Sequence, residues 1–102
     1  MEVLYFAGCP SYERTRELVE TAAAELGLTP QIELVEVEDA DRTVELRFLG
    51  SPTVRVDGHD VEPRADERKD FAFACRVYRT QDGVAETPDP RWIRVALDAA
   101  AS

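Results

Sequence analysis

The sequence predicts an α/β domain of order β-α-β-α-β-β-α. It has a central mixed sheet with helices on both faces and a short strand or hairpin inserted before the last helix. Three observations predict it. The apolar run "EVLYF" (2–6) gives way after Cys9-Pro10 to a helical period. Asp57-Gly58 stands between two short strand-like runs, and Asp89-Pro90 opens a last amphipathic segment. The 102 residues suit one domain, 1–102, with 62–87 as the insertion.

The elements follow in order. Residues 2–6 are apolar on both faces, as in a strand covered on both sides. From Ser11 to Leu26, Thr15, Leu18, Val19, Ala22, Ala23 and Leu26 form one helical stripe, with charged residues elsewhere. Gly27 is a helix stop, with Pro30 shortly after. "QIELVEV" (31–37) reads as a second strand, parallel to the first through a right-handed crossover. Residues 39–49 are expected to form a short helix capped by Asp39 or Asp41 and ended by Gly50. "SPTVRVDGHDV" (51–61) reads as a hairpin. "EPRADERKD" (62–70) is expected as a charged surface loop. After it Phe71, Phe73, Cys75 and Val77 alternate on one side of an extra strand, and Asp82-Gly83 signals a turn. In the last helix Asp89 is the cap, Pro90 fits the first turn, and Trp92, Val95, Ala96 and Ala99 share a face.

Composition narrows function. The net charge is −9 and Lys69 is the only lysine, which argues against a nucleic-acid partner, since phosphate binding needs clustered basic residues. No stretch spans a membrane, and no leader segment is visible, so a cytoplasmic location is expected. Two cysteines, Cys9 and Cys75, are too few for a secreted disulfide scaffold and too far apart for a zinc motif. No cofactor is implied. The lone His59, beyond a hairpin turn, has no placed partner for a Cys-His pair.

Cys9 stands where a strand hands over to a helix. The thiolate is the reactive form of cysteine. A helix's first turn offers unpaired N–H groups and about half a positive charge, which favour an anion. Pro10 suits that turn, where its missing N–H costs nothing. Gly8 allows a sharp bend that leaves the sulfur uncovered. A small buried residue in a tight turn fits the same spacing.

The element order, "GCPSY" (8–12) at the first strand-to-helix junction, and "GSPTV" (50–54) at the start of the third strand resemble the thioredoxin-like superfamily. The resemblance covers residues 1–61 and the last helix. "GCPSYERTRELV", "GSPTVRVDG" and "ACRVYRT" together are similar to a group of small bacterial and archaeal thioredoxin-like proteins. Some of these carry selenocysteine at the position of Cys9, and some are loosely labelled as related to alkylmercury lyases. Tyr12 replaces the second cysteine of dithiol members, which excludes a dithiol step within 9–12.

The resemblance implies a thiol-disulfide oxidoreductase or thiol-dependent reductase using Cys9. It also implies a cis Ser51–Pro52 bond, with the Ser51 backbone free to pair with an extended thiol-bearing peptide or glutathione. The implied partners are protein or low-molecular-weight thiols and disulfides, with no membrane. Cys75, if near Cys9, is the resolving thiol. If it is instead core beside Phe71, Phe73 and Val77, an external thiol such as glutathione releases product, as in monothiol glutaredoxins. Two facing thiolates also suit a soft metal ion such as Hg(II). Tyr12 either donates a hydrogen bond at the site or packs with its hydroxyl in water. A non-catalytic interaction domain is the remaining alternative.

Overall fold

Adjacent residues of a strand point to opposite faces. Val3 and Leu4 of β1 (Glu2–Tyr5) are both buried. Both faces of the sheet are therefore covered at its centre. In the computed structural model, which describes residues 1–29 and 31–101, β1 pairs in parallel with β2 (Glu33–Glu36), in register Val3 to Leu34. On its other side β1 runs antiparallel to β3 (Thr53–Val56), Val3 opposite Val54. β3 turns back into the short β4 (His59–Asp60), giving the mixed order β2-β1-β3-β4. The Asp57-Gly58 turn has positive φ at both residues, as a two-residue hairpin loop requires.

Helices α1 (Tyr12–Glu25) and α3 (Pro90–Ala101) cover one face. Val19, Ala22 and Ala23 of α1 and Ile93 and Leu97 of α3 pack on Val3, Val54, Val56 and Val61. Leu4, Val37 and Phe48 form a smaller core on the other face, beside α2 (Asp41–Glu45). Each such large side chain, fully buried, contributes about 1.5–3 kcal/mol. The expected stripe of α3 is one step off. Ile93 and Leu97 face the core, whereas Val95 is exposed and Trp92 half-buried. Of the expected stripe, Trp92 and Ala96 pack half-buried against that core, while Val95 and Ala99 are exposed.

Helix ends explain two boundary differences. α1 closes in a Schellman motif, with the Leu28 N–H on the Ala23 carbonyl and the Gly27 N–H on the Ala24 carbonyl. Gly27 takes the left-handed conformation; Pro30, expected to reinforce the stop, lies outside the described residues. α2 is much shorter than residues 39–49, because Arg47 (φ 53°) makes the same motif without a glycine. The Phe48 N–H bonds the Thr43 carbonyl, and the Arg55 guanidinium holds the Leu46 and Arg47 carbonyls at 2.7 and 2.8 Å.

The insertion holds the expected hairpin, and its charged first part is more ordered than a loop. Ala65–Glu67 form a 3-10 turn with Ala65 buried. β5 (Tyr78–Thr80) and β6 (Gly83–Ala85) form a separate two-stranded sheet. The expected alternation is present only over 75–78, and residues 71–77 are not a strand. Arg76 and Tyr78 point inward, while Phe73, Cys75 and Val77 are exposed.

Candidate functional site

Cys9 lies in the bend between β1 and α1. Its backbone N–H closes a turn onto the Phe6 carbonyl at 3.0 Å. Ser11 is the residue at the mouth of α1, and its carbonyl accepts the first helical bond, from Thr15. Cys9 and the exposed Pro10 therefore precede the helix rather than entering its first turn, a correction to the expected placement. Cys9 is 2% exposed, and its thiol donates to the Ser51 carbonyl at 3.5 Å. The sulfur thus meets a carbonyl oxygen here, in place of the expected amide hydrogens.

Ser51 is fully buried and joined to Pro52 by a cis peptide bond. Its hydroxyl oxygen accepts the Phe6 N–H at 3.3 Å, tying the loop to the end of β1. The backbone of Ser51 is not free. Its N–H donates to the Ala74 carbonyl at 2.9 Å, and its carbonyl accepts the Arg76 N–H at 2.7 Å. Residues 74–76 thus lie alongside Ser51 as a one-residue parallel bridge centred on Cys75. The implied open edge for a substrate strand is occupied by the chain itself. Gly50 makes this approach feasible. At φ 124° it would carry a Cβ only 2.9 Å from the Arg76 Cβ and 3.0 Å from the Ala74 oxygen.

The bridge brings the two cysteines together. Cys9 meets the Ser51 carbonyl and Cys75 bridges Ser51; Cys9 is buried and Cys75 exposed. Desolvation first, then the neighbouring Cys9 side chain and the Glu86 carboxylate, push the Cys75 thiol above its ordinary value. Glu86 is held nearby, its carboxylate accepting from the Ser11 hydroxyl at 3.4 Å. Phe6 and Phe73, from the segments that carry Cys9 and Cys75, pack on each other with ring centroids 4.8 Å apart.

Arg76 pins the occupying segment. Its side chain is buried and donates to Thr53 Oγ1 at 3.0 Å, Asp60 Oδ2 at 2.7 Å and Glu62 Oε1 at 2.6 Å. The guanidinium stacks over the Tyr78 ring at 4.4 Å, and the Tyr78 hydroxyl donates to the Pro52 carbonyl. Burial opposes the Arg76 charge, but Tyr78, Asp60 and Glu62 outweigh it and strengthen its hold on the proton. A buried charge is tolerable only when paired; here the two terminal nitrogens are held, while the buried Nε has no hydrogen-bond partner among the described residues.

Tyr12 takes the packing alternative: its ring stacks on Tyr5 at 4.2 Å and its hydroxyl donates to Glu13 at 3.5 Å. His59 is exposed and meets Asp66 at 3.1 Å. Among the described residues no group of three or more His, Cys, Asp and Glu is placed to hold a metal ion, and no helix is long and apolar enough to cross a membrane. A groove of about 430 Å³ between β4 and α3 contains neither cysteine.

The sequence pointed to Cys9, Cys75, Ser51 and Pro52, and these four converge. Arg76, Glu86 and the role of Gly50 were missed. The Arg76-Val77-Tyr78 spacing was the available signal for an inward arginine; Glu86 left none. Comparison with family models, curated proteins and solved structures found no match.

Proposed function

We propose that this chain is a thioredoxin-like thiol-disulfide oxidoreductase whose redox pair is Cys9 and Cys75. The carrying observation is the meeting of two free thiols from distant parts of the sequence, across the Ser51 carbonyl. The sheet order β2-β1-β3-β4, with a helix joining β1 to β2, is in keeping with that class. Two free thiols fit a reducing compartment such as the cytoplasm.

Burial sets the order of events and reverses the roles expected from sequence. An incoming disulfide, RS–SR, meets the exposed Cys75 first. The Cys75 thiolate attacks one sulfur, forming a mixed disulfide and releasing RS⁻, which takes up the proton that Cys75 gave up. Cys9, lying beneath, then attacks the Cys75 sulfur. The second RS⁻ leaves with the Cys9 proton, and the protein holds a Cys9–Cys75 disulfide. Two electrons have passed to RS–SR, giving two RSH. An external dithiol restores the reduced pair.

The test is treatment of the reduced chain with a small disulfide, followed by mass analysis. The expected product has lost two hydrogens and carries a Cys9–Cys75 cross-linked peptide. Stable, separate adducts on each cysteine would overturn the pairing. A second reading is favoured by the same convergence: two thiolates suit a soft cation such as Hg(II). Competition against a small dithiol tests it, and binding indifferent to Cys75→Ser would remove it.

A further inference from the structure

We propose that the site acts on low-molecular-weight disulfides and excludes disulfides carried on extended polypeptide, because residues 74–76 take the place such a strand would need. The inference rests on the redox reading above and names its substrate class. A protein strand is positioned beside a reactive thiol through main-chain hydrogen bonds as well as side-chain contacts. Next to Cys9 the groups available for that purpose are the N–H and C=O of Ser51. Both are taken, by Ala74 and Arg76 at 2.9 and 2.7 Å.

The occupant is not a loose flap. Displacing it would strip the buried Arg76 from Thr53, Asp60 and Glu62, leaving charges unpaired away from water. Breaking such a pair costs far more than one or two backbone hydrogen bonds return. The Tyr78 hydroxyl on the Pro52 carbonyl adds a second anchor on the same segment. Gly50 lets the segment lie too close for anything else to slip between. What remains reachable is the Cys75 sulfur itself, at the surface. A small disulfide needs only in-line access to one sulfur. A strand-borne disulfide loses its main-chain positioning and must also fit the chain around the Phe6–Phe73 pair.

The test holds the chemistry constant. Bis(2-hydroxyethyl) disulfide is compared with a short, uncharged extended peptide whose central cysteine carries the same 2-hydroxyethyl mixed disulfide. The readout is release of 2-mercaptoethanol by the full, reduced chain. The peptide is expected to react at least about tenfold more slowly. Arg76→Met, which frees the segment, should raise the peptide rate toward that of the small compound. Should that variant fail to fold, amide exchange on the unaltered chain decides. The Ser51 and Arg76 N–H groups should stay protected when peptide is added. Equal rates, or loss of protection at Arg76 on adding peptide, would overturn the exclusion while leaving the redox reading intact. No release from either compound would overturn both.

Discussion

At the level of single residues, the two thiols differ in access and in what surrounds them. Cys75 is exposed, and desolvation, the neighbouring Cys9 side chain and the Glu86 carboxylate all raise it. Its alkylation rate should therefore still be climbing with pH beyond the ordinary thiol range. Cys9, 2% exposed, should be modified only after the chain is unfolded. Peptide mapping after brief iodoacetamide treatment at several pH values checks this; Cys9 labelled first would contradict it. Because Glu86 contributes to raising Cys75, Glu86→Gln should move the midpoint downward. The sign also fixes a stability effect. A thiol raised in the fold contributes stability that is present below its unfolded value and lost as pH climbs through its folded one. Cys9, Cys75, Ser51 and Pro52 were legible because a thiol at a strand–helix junction and a Ser-Pro before a strand are unusual residues in telling places. Glu86 was not legible, because one carboxylate among 21 acidic residues carries no pattern.

At the level of elements, segment 71–78 shows where alternation misleads. Period two tells which residues share a face, not which face is inside. Hydrophobicity put Phe73, Cys75 and Val77 inward. The interior instead took Arg76 and Tyr78, because Asp60 and Glu62 of another segment neutralise the guanidinium. Nothing local to 71–78 announces those partners. Local signals served better where they acted within a few residues: the Asp57-Gly58 hairpin, the Gly27 stop, and the cap of α3. Asp89 Oδ1 accepts the Arg91 N–H at 2.9 Å and its carboxylate grips the Arg91 guanidinium. Asp89→Ala should lower stability by about 1 kcal/mol, and Asp89→Asn by less, since asparagine still caps. The Arg91 bond holds the Asp89 carboxyl below its ordinary value, so this contribution exists above that value and fades as pH falls through the folded one. Gly50→Ala is the sharper test of the strand contact. A methyl group there would meet Arg76 and Ala74 within 3.0 Å, in a backbone conformation that disfavours side chains. A loss of about 1–3 kcal/mol in urea unfolding is expected; an unchanged midpoint would mean that segment 74–76 does not rest on Gly50.

At the level of the whole molecule, the insertion is joined to the rest of the chain by side-chain and backbone contacts, among them Arg76 on Asp60, Tyr78 on Pro52 and Arg91 on Gln81 and Asp82. A two-stranded sheet such as β5–β6 is marginal on its own. It depends on the Ser51 bridge, on Arg76 and on Tyr78. Cys9 belongs to the sheet side of this junction and Cys75 to the insertion side, so oxidation would join the two parts covalently. The closed loop spans about 66 residues, and a loop of that length corresponds to about 4 kcal/mol of lost unfolded-state entropy. In a chain this small, that raises the melting temperature by about 10 °C or more. The oxidised chain should accordingly melt well above the reduced one, with the gap closing in Cys75→Ser and in excess dithiol. Amide exchange should slow in residues 74–85, because the bond ties that side of the junction directly to the strand–helix bend at Cys9. If a proven Cys9–Cys75 disulfide left melting and exchange unchanged, the constraint would have cost the folded state as much as the unfolded one. The two sulfurs would then have to be pulled together against the fold, and the convergence on Ser51 would not be the ground state of a redox pair.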